Sequence, residues 1–104
     1  MSRDIPITQE DVDINTDIVS EEPPLYRVLL LNDDYTTMDF VVEVLVSVFR
    51  KSVKDATVIM LNVHRQGVGV CGMFPYEIAE TKVDTVHSMA KEKGFPLKCI
   101  MEKA

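Results

Sequence analysis

Residues 26–49, YRVLLLNDDYTTMDFVVEVLVSVF, hold both kinds of local order that this chain uses, with a polar joint between them. Tyr26 to Leu31 is a short apolar run that stops at Asn32-Asp33-Asp34, as a largely buried strand stops at a turn. Beyond the joint, Val41, Val44, Leu45 and Val48 recur at helical spacing, and Thr36 followed by Asp39 approximates a capping box. The reading is a strand over Tyr26–Leu31 and a helix over Thr37–Phe49.

Working outward, the same chemistry repeats. Ser52 with Asp55 caps a second helix, whose apolar stripe is Ala56, Ile59, Met60 and Val63 and which ends near Gln66 with Gly67 as a left-handed stop. Val68 to Phe74 is apolar with glycines at 69 and 72, the pattern of a strand that carries a bulge or lets another backbone approach closely. Pro75 is expected in the first turn of a third helix, whose face is Ala79, Val83, Val86 and Ala90 and which runs to Gly94; Leu97 to Met101 then reads as a last strand. The order strand, helix, helix, strand, helix, strand predicts an α+β fold with helices on one face of a small sheet. It does not settle the sheet's order or direction.

Ahead of this unit, residues 1–24 are acidic, lack any sustained period and end in Pro23-Pro24. The expectation is a flexible arm of residues 1–24 joined to a single domain over 25–104. At 104 residues, 46% hydrophobic and 27% charged, the composition is that of one globular domain. A net charge of −6 argues against nucleic acid as partner, because phosphates call for a basic surplus. Nothing at the start resembles a secretion signal. Cys71 and Cys99 each sit in apolar surroundings, which suits buried thiols; a disulfide between neighbouring strands is the less favoured alternative.

The joint at residues 32–34 concentrates amide and carboxylate oxygens. Two readings stand: a turn that assists the start of the helix, or acceptors for an ammonium group through charge-assisted hydrogen bonds. The regular offsets, glycine and closing glutamate of a calcium loop are absent, so no metal is expected. His64 near the end of the second helix reads as a helix cap, and His87 as a surface residue with no role. A Cys71–His64 pair is the one catalytic alternative, but no orienting third group or oxyanion donors accompany it. Methionines such as Met38 and Met60 suit either core filling or a soft pocket wall.

Taken together, LLLNDDYTTMDFVVEVL (29–45), VIMLNVHRQGVGVCGMFPYEIAETKV (58–83) and GFPLKCIMEKA (94–104) resemble the Clp-protease adaptor (ClpS) family over nearly the whole folded part. The resemblance implies a three-stranded antiparallel sheet with three helices, similar to the C-terminal domain of the ribosomal stalk protein. It implies a non-enzymatic, monomeric adaptor of the bacterial cytoplasm, without a cofactor and without nucleic-acid or membrane partners. Such an adaptor binds proteins that begin with Phe, Leu, Tyr or Trp and delivers them to the Clp ATPase–protease.

Carried over by position, Asn32, Asp33 and His64 are implied to hold the substrate's α-amino group, with Asp34 adding negative potential. Thr36, Met38, Val41, Met60, Val63 and Leu97 are implied to wall the side-chain pocket. Glu77, Glu80, Thr81 and Lys82 are implied to dock on the N-terminal domain of the ATPase, and the arm to help hand substrate over. Thr37, where proline is common in the family, and Asn62, usually a small apolar residue there, depart from the pattern.

Overall fold

In the computed structural model, residues 23–104 are described; all but the last two residues of the expected arm lie outside them. The elements follow the expected order: β1 (Leu25–Leu31), α1 (Met38–Ser47), α2 (Val53–Gln66), β2 (Val68–Pro75), α3 (Tyr76–Lys93) and β3 (Lys98–Lys103). β1 lies in the middle of the sheet, in the order β2-β1-β3, and pairs antiparallel with both neighbours. That central place explains its unbroken apolar run. Val28 and Leu30 point into the core beneath the helices, while Leu29, also buried, faces the opposite side between Val70 and Ile100.

The sheet order also settles the cysteines. Cys71 on β2 and Cys99 on β3 are both buried and unbonded, with β1 between them. Two strand spacings amount to roughly 9–10 Å, beyond the Cα separation of about 7 Å that a disulfide can bridge.

Both readings of the β2 glycines hold, each at its own residue. Val28 pairs with Gly72 and Leu29 with Val70, so Cys71 is the extra residue of a bulge. The bulge shifts the inward alternation by one, turning Met73 outward and Phe74 in against Phe49. At Gly69 the constraint is closeness: an added Cβ would stand 2.6 Å from Val63 Cγ2 and 3.2 Å from Ile59 Cγ2. Glycine there lets α2 lie directly on the sheet, and α2 is the helix that carries Met60, Val63 and His64.

Helix ends follow capping chemistry, with two corrections. Ser52 Oγ accepts from the Asp55 N–H at 3.1 Å, and Gly67 closes α2 in the left-handed conformation at φ 89°. The N-cap of α1, however, is Thr37 rather than Thr36: its side chain accepts from the Phe40 N–H at 3.1 Å. A proline at 37 would lack this oxygen, so the departure from the family pattern exchanges ring rigidity for a side-chain cap. Pro75 ends β2 and stands one residue before α3, at the N-cap rather than in the first turn.

Candidate amine and side-chain pocket

The strand-to-helix joint and the end of α2 are tied together by backbone. The Asn32 N–H donates to Gly67 O at 3.0 Å, and the Gly67 N–H donates to Val63 O at 2.9 Å. The left-handed turn at Gly67 therefore sets the last turn of α2, with His64, beside the loop that holds Asn32 to Asp34.

Between them opens a cavity of about 230 Å³. Asn32, Asp33, Asp34 and His64 form its polar part, and Thr36, Met38, Val41, Met60 and Val63 line the rest. Val41, Met60 and Val63 belong to the hydrophobic core, so the apolar wall is the core itself, left open where α1 and α2 part. Met38, 44% exposed, stands at the first residue of α1. Leu97 does not reach this cavity. It is buried and lines a far smaller adjoining hollow of about 10 Å³ together with Leu31. Small-molecule sites commonly span roughly 300–1,000 Å³, so the cavity suits one large side chain better than a cofactor.

Inside the polar part, Asp33 is fixed by its own loop. Its Oδ1 accepts from the Tyr35 N–H at 2.8 Å and the Thr36 N–H at 2.7 Å, and its Oδ2 accepts from the Thr36 hydroxyl at 2.7 Å. Partial burial pushes the Asp33 carboxyl up, but the bonds from Thr36 and Tyr35 outweigh it and hold the group below the usual carboxylate range. The turn reading and the acceptor reading of this joint are thus compatible, since the same Asx turn leaves the carboxylate ionised and oriented. Among the described residues no Lys or Arg side chain lines the cavity, and no group of three His, Cys, Asp or Glu is placed to hold a metal ion.

The catalytic alternative lacks its nucleophile. Cys71 is 1% exposed in the core, and burial, reinforced by neighbouring Cys99, pushes its thiol far above the ordinary range; burial raises Cys99 to about 12. A protonated thiol sealed in apolar packing is a poor nucleophile. His64 lies outside on the exposed end of α2.

On α3, Glu77, Glu80 and Thr81 are exposed, and the Thr81 hydroxyl donates to Glu77 O within the helix at 3.0 Å. Lys82 has structural work that its sequence context did not suggest. Its Nζ donates to Val48 O at the end of α1, at 2.9 Å, and sits 5.8 Å and 5.2 Å from the ring centres of Phe49 and Phe74. His87 is likewise engaged: its Nε2 accepts from the Cys99 N–H at 3.0 Å. That N–H belongs to edge strand β3, and no local sequence pattern announces the pairing.

A family model described as "ATP-dependent Clp protease adaptor protein ClpS" matches residues 21–100. The chain belongs to the ClpS family. Among its relatives, the ATP-dependent Clp protease adapter protein ClpS of Desulforapulum autotrophicum is 63% identical over 81 residues, 78% of each chain. The protein of the same name from Oleidesulfovibrio alaskensis is 55% identical over 96 residues, 92% of each chain. Among solved structures, Agrobacterium tumefaciens ClpS2 bound to L-phenylalaninamide is 43% identical, with a TM-score of 0.77 covering 80% of this chain and all of that one. The β-α-α-β-α-β fold with its open antiparallel sheet is thus a ClpS fold. Among the described residues no helix is long and apolar enough to cross a membrane.

Proposed function

We propose that this ClpS-family adaptor captures proteins through a free N-terminal residue with a bulky unbranched-at-Cβ side chain, Phe, Leu, Tyr or Trp, and delivers them to the Clp ATPase–protease in the bacterial cytoplasm. The observation that carries the reading is one cavity that joins an apolar wall from the core to a carboxylate, an amide and an imidazole. L-phenylalaninamide, the ligand of the Agrobacterium relative, has the chemistry such a cavity suits: an ammonium group, a benzyl side chain and a carboxamide where a peptide chain would continue.

An α-ammonium carries three N–H donors. Asp33, the Asn32 amide oxygen and a His64 ring nitrogen offer three acceptors, with Asp34 adding negative potential. Full burial of a Phe or Leu side chain against Met38, Val41, Met60 and Val63 contributes about 1.5–3 kcal/mol. Met38 at the rim crowds a branch at Cβ, which disfavours Ile and Val. Delivery then falls to the α3 surface around Glu77, Glu80 and Thr81, which we assign to the N-terminal domain of the ATPase. Lys82 stands at its edge.

Mapping of backbone amide shifts during titration with L-phenylalaninamide tests the reading. Shifts should concentrate on residues 32–38 and 60–64, with valinamide producing them only at much higher concentration. Shifts centred elsewhere, or equal responses to the two amides, would remove it.

A further inference from the structure

We infer that Thr36 is a positioning residue for amine capture: its hydroxyl clamps the Asp33 carboxylate so that a single acceptor site, on Oδ2, is left for the incoming ammonium. The inference rests on the proposed N-terminal recognition and refines how it is achieved.

The count follows from the bonds. A carboxylate oxygen offers two in-plane lone-pair sites. Oδ1 has both filled, by the N–H groups of Tyr35 at 2.8 Å and Thr36 at 2.7 Å. Oδ2 has one filled, by the Thr36 hydroxyl at 2.7 Å; with the carboxylate ionised, that hydroxyl must be the donor. One site remains. Without the Thr36 hydroxyl the two backbone bonds still hold Oδ1 but leave Oδ2 free to swing about them, and a single well-aimed acceptor becomes two loosely aimed ones. Thr36 also N-caps nothing, because Thr37 performs that task for α1, so its hydroxyl is committed to Asp33 rather than to starting the helix.

Around Asp33, among the described residues, the other titratable groups lining the cavity are Asp34, from the same loop, and His64, from α2. A pH profile of binding alone would mix all three, so the test reads Asp33 directly. Thr36→Val replaces the hydroxyl by a methyl of nearly equal size, and Thr36→Ser keeps the hydroxyl while removing the methyl. Carboxyl carbon NMR of the unliganded protein should find Asp33 titrating below the ordinary value of about 3.9 in the wild type, unchanged in the Ser variant and moved upward in the Val variant. Titration calorimetry with a Phe-Leu-initiated peptide should show roughly tenfold weaker binding for the Val variant and near-wild-type binding for the Ser variant, with thermal unfolding confirming that both are folded.

A Val variant with wild-type affinity and a wild-type Asp33 midpoint overturns the assignment, as does a Ser variant as weak as the Val variant. The underlying reading fails separately: wild-type protein that binds the acetylated peptide as tightly as the free one sinks N-terminal recognition, whatever the NMR midpoint of Asp33.

Discussion

Asp33 gains its ionisation from three local donors, and the sign of the resulting pH dependence follows. A carboxylate whose folded pKa is depressed adds stability that is present above its unfolded value of about 3.9 and is lost as pH falls through the lower folded value. The thermal midpoint of Asp33→Asn should therefore lie below that of the wild type at pH 5–7, and the gap should close as both are titrated below pH ~3.9. A gap that persists undiminished in acid would assign the effect to shape instead of charge. Cys71 makes the complementary case. Cys71→Ala removes a buried sulfur from the core, with an expected loss of about 1 kcal/mol, yet peptide affinity should stay within about twofold. Denaturant unfolding and calorimetry on one sample separate the two quantities. Of these residues the sequence disclosed the composition of the joint but not its wiring. Thr36 and Thr37 are adjacent, both suit an N-cap, and only the loop's three-dimensional course sends one hydroxyl back to Asp33 and the other forward to Phe40.

At the scale of elements, α2 is positioned from below by Gly69 and at its end by Gly67. An alanine at 69 would put its Cβ 2.6 Å from Val63 Cγ2, so Gly69→Ala should lift α2 and cost about 1–3 kcal/mol. Because α2 carries the cavity wall, affinity for an N-terminal Phe should fall with it; an unchanged affinity in a destabilised variant would show that the wall tolerates the movement. Lys82 holds the neighbouring junction. Lys82→Met keeps much of the stem's apolar packing but removes the hydrogen bond to Val48 O and the charge over Phe49 and Phe74, and urea unfolding should show a loss of about 1–2 kcal/mol. Any effect of such a variant on ATPase docking thus needs this stability change measured beside it. Six elements and their order were legible because apolar period and capping are local signals. The bulge at Cys71 was legible only as two glycines. The helix-junction role of Lys82 and the edge-strand bond of His87 depend on segments distant in sequence, 34 and 12 residues away, and periodicity carries no information about such pairs.

For the whole molecule, the division of labour follows from one sheet covered on one face. Helices seal Val28 and Leu30, and the gap between α1 and α2 exposes a small part of that core beside the loop of acceptors. On the proposed function, hydrophobic contact and amine recognition are thereby joined at one mouth without a separate binding loop. Strand order was beyond the pattern of elements alone, because a helix of 18 residues separates β2 from β3 and permits more than one arrangement; the resemblance to ClpS resolved the direction, and the middle place of β1 accounts for its continuous apolar run. In the proposed function a free amine and a large side chain are read together at this mouth. Acetylation deletes the ammonium charge and leaves desolvated acceptors unpaired at about 1–3 kcal/mol each. Titration calorimetry of a Phe-Leu-initiated peptide against its N-acetylated twin at neutral pH measures this directly: the free amine should be preferred at least roughly a hundredfold, and equal affinities would rule out joint reading of amine and side chain.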